Sequence, residues 1–289
     1  DIRDIDALSE ALSRAAPDIV FHLAAQPLVR ESYRKPVDTY ATNVMGTVHL
    51  LEAVRHADSV RAVVVVTTDK CYENREWEWG YRECDRLGGH DPYSSSKAAA
   101  ELVTAAYRRS FLSGDRSPPV ASARAGNVIG GGDWAQDRLI PDIVRAFSKN
   151  KAARIRNPNA IRPWQHVLEP LRGYLDLAER LFISGSKFAD AWNFGPEDRD
   201  TRDVGWVVNH FTQLWGGDAA WSQDSAEHPH EAGYLKLDIS KARQRLGWSP
   251  RLDLETALTW TVDWYRQHAA GEDVRNLTLN QISRYGKLG

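Results

Sequence analysis

Five consecutive aliphatic residues, Ala62-Val63-Val64-Val65-Val66, stand between Arg61 and Thr67. A strand with one wet face would alternate apolar with polar side chains, and this run does not. It reads instead as a central strand of a parallel sheet, covered by helices on both faces. The flanking sequence supplies those helices. Asp4 or Asp6 caps a helical pattern through Leu8, Leu12 and Ala15, and Pro17 stops it before Ile19-Val20-Phe21-His22-Leu23-Ala24-Ala25, which reads as a second buried strand. A long helical pattern runs from Val37 to Arg55, ahead of the valine run. After it come a helix from Tyr93 to Phe111, a Gly/Asp/Ser/Pro loop at Ser113 to Pro119 and a strand Val120 to Arg124. Repeated helix–strand alternation with buried strands predicts an α/β fold with a doubly wound parallel sheet.

After Gly126 the rhythm loosens. Gly130-Gly131-Gly132-Asp133-Trp134 predicts a loop, and Leu139 to Ser148 a short amphipathic helix outside the sheet. A helix from His166 to Ile183 and a strand Ala191 to Phe194 read as a return to it. Beyond Gly195, short helices at Val204 to Leu214, Ser240 to Leu246 and Leu254 to His268 predict a smaller α+β lobe. The expected division is therefore 1–130 with 163–194 as the sheet domain and 131–162 with 195–289 as the lobe.

Charge narrows the partners. Thirty-seven Lys and Arg against 39 Asp and Glu leave a net charge of −2. No basic surplus argues for nucleic acid or an anionic membrane, so a small molecule is the expected partner. The valine run is far shorter than the roughly 20 apolar residues of a membrane span. Cys71 and Cys84 cannot build a disulfide framework and read as free thiols of the cytoplasm. The nine histidines, His90 and the His228-Pro229-His230 pair among them, form no cluster with metal-ligand spacing, so no metal site is expected. His166 reads as a structural contact. The tryptophans at 206, 215, 260 and 264 fall in helical patterns and read as core or interface, whereas Trp134 beside the glycine loop is placed to touch a ligand.

In open α/β sheets ligands bind outside the carboxyl ends of the strands. Those ends here are Leu23-Ala24-Ala25-Gln26, Thr67-Thr68-Asp69-Lys70 and Arg124-Ala125-Gly126-Asn127. Tyr93 and Lys97 lie four residues apart and so share one helix face, at a helix start soon after the central strand. A neighbouring ammonium lowers a phenol's pKa and makes the phenolate a usable base, so Lys97 is expected to lower that of Tyr93. Taken alone the pair is a weak signal, equally a surface helix pair. Its position beside Thr68-Asp69-Lys70 gives it weight.

Leu23-Ala24-Ala25-Gln26, Thr42-Asn43, Tyr93-x-x-x-Lys97 and Arg124-x-x-Asn127-Val128-x-Gly130 together resemble the extended short-chain dehydrogenase/reductase family over most of the chain. More narrowly, four blocks resemble the CDP-glucose 4,6-dehydratases. These are Thr68 to Trp77, Gly80-Tyr81-Arg82-Glu83, Asp91-Pro92-Tyr93-Ser94 and Arg162-Pro163-Trp164-Gln165-His166-Val167-Leu168-Glu169-Pro170. The resemblance implies a Rossmann-type sheet domain that holds NAD, a sugar-nucleotide lobe, and CDP-glucose as substrate. It implies Tyr93 as base at the sugar 4-OH, Lys97 as its tuner, Thr68 on the 4-oxygen and Asp69 as proton donor to the departing 6-OH. Related dTDP-glucose enzymes carry Glu where this chain has Lys70, so Lys70 is assigned the C5 proton as a hypothesis; Cys71 and Glu73 are weaker candidates. For the cofactor the resemblance implies Asp1 and Ile2 at the adenine, and Leu23, Ala24, Ala25, Gln26 and Thr42 along the pyrophosphate and nicotinamide ribose. For the substrate it implies Asn127 on the diphosphate and Arg162 as a bidentate phosphate ligand.

Two other readings stand beside this one. An epimerase or decarboxylase of the same family would use the tyrosine, lysine and Thr68 but has no need of the adjacent Asp-Lys. A non-catalytic fragment is the other, because the chain starts at Asp1 without the glycine-rich phosphate loop that the family places upstream. On that ground the sequence leads us to expect a truncated sheet with an open edge, about two βα units short, and no turnover by these 289 residues alone. The resemblance further implies a homodimer through the helices Val37 to Arg55 and Tyr93 to Phe111.

Overall fold

The computed structural model describes residues 1–114, 116–226 and 232–288. Among the described residues nine strands are formed: β1 Ile19–His22, β2 Ala62–Val66, β3 Val120–Ala125, β4 Asn127–Ile129, β5 Ala153–Ile155, β6 Ile161–His166, β7 Ala191–Phe194, β8 Thr201–Asp203 and β9 Trp221–Gln223. The α-helices among them are α1 Ile5–Ala15, α2 Val29–Arg34, α3 Pro36–Tyr40, α4 Gly46–Arg55, α5 Pro92–Ser110, α6 Leu139–Phe147, α7 Leu168–Ser184, α8 Val204–Trp215, α9 Leu254–Ala269 and α10 Val274–Gly286. Strands β1-β2-β3-β7 form one parallel sheet in that order. Side chains of β2 alternate between two cores, which is why the run is apolar throughout. Val63 and Val65 pack with Leu50, Leu51 and Val54 of α4, while Ala62 and Val64 pack with Leu177 and Leu181 of α7. Helices therefore lie on both faces, and the doubly wound parallel sheet is as the sequence predicts.

Several local expectations are corrected. The strand at Ile19 ends at His22, and only His22 of its four residues is fully buried, because β1 is the outer strand of the four. Leu23 to Gln26 form the loop beyond it. The single helix expected from Val37 to Arg55 is α3 and α4 joined by a π-helical turn at Ala41–Met45. The helix expected from His166 starts at Leu168, because Ile161–His166 is a strand. That strand pairs with β4 in parallel and with β8 in antiparallel fashion, in a sheet separate from the first. The boundaries expected at 130 and 163 thus fall beside and within this second sheet. Ile129 and Trp164 share a core with α6, α8 and α9.

The passage from one sheet to the other takes a single residue. β3 ends at Ala125, β4 begins at Asn127, and a Cβ on the intervening Gly126 would sit 2.4 Å from Cγ of Pro163. Only glycine admits that approach. The tight switch places the ends of β2 and β3, β4 and β6 around one cleft.

Candidate active site

The cleft has a volume of 410 Å³ and is walled by the carboxyl ends of β2 and β3, the start of α5, and the lobe elements β4, α6 and β6. Thr68, Asp69, Lys70, Tyr93, Asn127 and Arg162 all line it. The sequence scatters these six over 95 positions, and the topology brings them to one place. Asp91 caps α5 by accepting a hydrogen bond from the Ser94 amide at 2.9 Å, and Pro92 sits in its first turn, which orients Tyr93. The Tyr93 amide also donates to Oγ of the fully buried Ser32, at 3.1 Å. At the end of β2 the chain turns into a 3-10 helix, Asp69–Cys71, capped by Thr68.

Within the cleft, Thr68 Oγ1 donates to Asp69 Oδ1 at 3.0 Å and meets the Tyr93 phenol. Burial pushes the Asp69 carboxyl up despite Lys70 and Arg162 nearby. Its Oδ2 is buried with no hydrogen-bond partner among the described residues, a costly state for a carboxylate that a protonated acid or a bound hydroxyl relieves. Lys70 lies half-buried on the cleft wall beside it. Cys71 is fully buried, and burial pushes its thiol up, so it is no base.

The expected electrostatic role of Lys97 needs correction. Burial pushes the Tyr93 phenol up to about 12, opposed by the Thr68 hydroxyl and the Arg138 charge. Lys97 Nζ instead donates to the Val66 carbonyl at 3.1 Å, at the last residue of β2. Burial depresses its ammonium to about 8, against the Glu101 charge, which holds it up. Lys97 thus clamps α5 to the catalytic strand end. Arg162, expected as a bidentate phosphate ligand, is a buried residue of the cleft wall. It is 6% exposed, and two of its donors go to the carbonyls of Ile161 and Ala232, so it meets an anion chiefly as a fixed charge.

The remaining expected cofactor residues lie outside the cleft lining. Leu23, 53% exposed, and Ala24 form an open apolar shelf at the end of β1. Gln26 is held by Asn43, whose Oδ1 accepts from the Gln26 amide at 2.8 Å and whose Nδ2 donates to Gln26 O at 3.0 Å. Asn43 Nδ2 also reaches Ser96 Oγ of α5 at 2.9 Å, so the β1 loop and the tyrosine helix are tied together. Thr42 is half-buried in the π-helical turn. Asp1 is exposed in an ion pair with Arg3, and Ile2 packs on Gly46 of α4. Trp134 is 47% exposed and packs on Trp264, Tyr265 and His268 rather than lining the cleft. His166 is a buried structural contact whose Nδ1 accepts from the Leu168 amide, and Trp260 and Trp264 are core. His228 and His230 lie outside the described residues. Among the described residues no group of acidic, His or Cys side chains could hold a metal, and no helix is long and apolar enough to cross a membrane.

Sequence reasoning missed part of the far wall. Arg30, Arg138 and Arg156 line the cleft, with Asp137 bridging Arg30 and Arg156 at 3.4 Å each. Asp137 has φ +62°, a left-handed conformation uncommon outside glycine. No motif joins residues from α2, the 133–138 loop and the end of β5, so the signal was absent.

The comparisons agree with this geometry. The chain is 55% identical over 289 residues, 99% of its length and 80% of the relative's, to the CDP-glucose 4,6-dehydratase of Salmonella typhimurium. A dTDP-glucose 4,6-dehydratase of Streptomyces venezuelae, solved with NAD bound, superimposes with a TM-score of 0.78 at 25% identity, covering 94% of this chain and 80% of that one. The UDP-glucuronic acid 4-epimerase of Bacillus cereus shares the fold, with a TM-score of 0.80 at 24% identity over 93% and 80% of the two chains. A family model described as GDP-mannose 4,6 dehydratase matches residues 1–183. With more than half its length matched and a relative so similar, the chain belongs to this family of nucleotide-sugar 4,6-dehydratases.

Proposed function

We propose that the protein dehydrates CDP-glucose to CDP-4-keto-6-deoxy-glucose, with NAD held at the carboxyl ends of β1 to β3. One observation carries the reading: Asp69 shares a cleft wall with Thr68 and Tyr93, with its carboxyl pushed up by burial and Oδ2 open. Epimerisation needs the tyrosine and threonine, whereas water elimination also needs an acid for the departing hydroxyl. Likeness to the Salmonella enzyme supports cytidine as the base. The apolar shelf of Leu23 and Ala24 fits the face of an aromatic ring, and Ala25, Gln26, Thr42 and, at the adenine end, Asp1 and Ile2 would complete the hold on NAD. Bound NAD would supply reversible hydride acceptance between C4 and C6. Tyr93 removes the proton of the 4-OH while Thr68 holds the 4-oxygen. The resulting ketone acidifies C5–H, Lys70 takes that proton, and Asp69 protonates the 6-OH, which leaves as water. A proton then returns to C5, so the net change is loss of one water. Asn127 and the fixed charge of Arg162 would bind the diphosphate.

The test is mass spectrometry of CDP-, dTDP-, UDP- and GDP-glucose incubated in D₂O with NAD and the protein carrying the upstream glycine-rich loop. Water loss with deuterium uptake from CDP-glucose alone is expected; no water loss from any of the four would favour an epimerase. A Lys70→Met variant that exchanges C5–H at the normal rate would remove Lys70 from its step. We also infer a cytoplasmic homodimer that supplies deoxy-sugar synthesis for surface polysaccharides. Exposed apolar residues on α3 and α5, Val37 at 78% and Leu102 at 59%, support the pairing. Leu102→Glu should yield a monomer by analytical ultracentrifugation.

A further inference from the structure

Beneath the cleft lies a buried polar network that the proposed reaction does not use. Glu101 follows Lys97 by one turn of α5 and is 3% exposed. Its carboxylate accepts from Thr67 Oγ1 at 2.5 Å, Ser122 Oγ at 2.7 Å and the Arg124 guanidinium at 2.8 Å. Arg124, also 3% exposed, reaches on to the Tyr72 hydroxyl at 2.8 Å and the Glu83 carbonyl at 3.2 Å. Tyr72 in turn donates to Asn193 Oδ1 of β7 at 2.7 Å. Thr67 is the residue before Thr68, and Tyr72 is the residue after the Asp69–Cys71 turn. One carboxylate therefore grips the chain entering the catalytic turn, and its partner guanidinium grips the chain leaving it.

We propose that Glu101 and Arg124 are positioning residues that set where Asp69 and Thr68 stand against Tyr93. A buried ion pair is weak evidence for stability, because desolvation offsets its attraction. What this pair does supply is geometry: α5, β3 and the residues flanking the end of β2 and the 3-10 turn meet on two side chains, and Tyr72 carries the link on to β7. Displacement of a catalytic group by about 1 Å costs on the order of 100-fold in rate, which is the scale at stake here.

The inference rests on the dehydratase reading, and its test separates the two. In the NAD-loaded full-length protein with CDP-glucose, Glu101→Gln keeps shape but weakens the grip on Thr67 and Arg124. Its kcat should fall about 100-fold with KM within about twofold, and the transient of reduced cofactor at 340 nm should persist, because elimination is slowed more than oxidation. Thr67→Val, which cuts one bond of the network and leaves the ion pair, should show the same split in milder form and guards against a Glu101→Gln protein that does not fold. Unchanged kcat and transient in either folded variant would overturn the proposal. A crystal structure of Glu101→Gln reads the same point without substrate: a shifted Asp69–Cys71 turn supports it, and a superimposable turn overturns it. Wild-type protein inactive on CDP-glucose would overturn the dehydratase reading alone.

Discussion

Asp69 and Glu101 are two carboxyl groups buried to nearly the same degree, 1% and 3% exposed, one on the cleft wall and one in the network under it. Burial penalises the charged form of both, yet Asp69 is pushed up while Glu101 is held below the usual carboxylate range. Partners make the difference. Glu101 receives a guanidinium and two hydroxyls, whereas Asp69 has one hydroxyl and a vacant Oδ2. Equal burial thus goes with raised proton affinity at one carboxyl and lowered proton affinity at the other. The carboxylate with its oxygens paired belongs to the scaffold, and the carboxyl with an unmet oxygen beside it is proposed for the chemistry.

The largest effects should come from the cleft. Tyr93→Phe removes the base and should lower kcat by about 10²–10⁴-fold, with loss of any reduced-cofactor transient. Asp69→Asn should leave that transient intact and abolish water release by a similar factor, seen by mass spectrometry. Next is Arg124→Ala, which leaves Glu101 buried without its cation and should cost about 3–5 kcal/mol in chemical denaturation. Asp69→Asn should act in the opposite direction on stability, raising it by about 1 kcal/mol at pH values above the folded pKa of Asp69, where the carboxyl is ionised with an unmet oxygen. If it destabilises, the contrast between the two carboxyls fails. The pH dependence follows the same division. Glu101, with its folded pKa depressed, contributes stability above the ordinary carboxylate range that is lost as pH falls through its folded pKa. Asp69, with its folded pKa raised, is easiest to keep when protonated, and ionising it costs stability as pH rises through that value. Denaturant titrations of Asp69→Asn and Glu101→Gln against wild type between pH 3 and pH 8 should therefore diverge in opposite senses. The smallest effect is expected at an exposed pair: Lys35→Gln removes the i,i+4 contact to Glu31 at 3.1 Å and should cost about 0.5 kcal/mol or less, vanishing in high salt.

The valine run, the helix around Tyr93 and the polar strand ends were legible because local rules govern them: apolar continuity, helix spacing, and small or polar residues where a sheet ends. Tyr93 and Lys97 were legible as a pair from helix spacing, but the direction of the tyrosine's shift was not. That depends on burial by parts of the chain far from it, and on the Val66 carbonyl taking the lysine's proton donor. The short strands β4, β5, β8 and β9 were invisible for a related reason. With three residues each, they carry too little periodicity and exist through pairing. Glu101 was passed over, and Arg124 was read only as part of a strand-end motif, because a charged residue in a helix or strand pattern reads as solvated until tertiary packing encloses it.

By itself the sequence determined that this chain winds helices about a buried parallel sheet and places Thr68, Asp69 and Tyr93 at its carboxyl edge, since helix and strand periods and strand ends are local properties. Only the tertiary structure decided which carboxyl gains proton affinity and which loses it, that Lys97 ties α5 to the end of β2, and that arginines from α2 and the lobe line the cleft. Those outcomes depend on burial and partners drawn from distant parts of the chain, and proton affinity is set by the sum of all that surrounds a group.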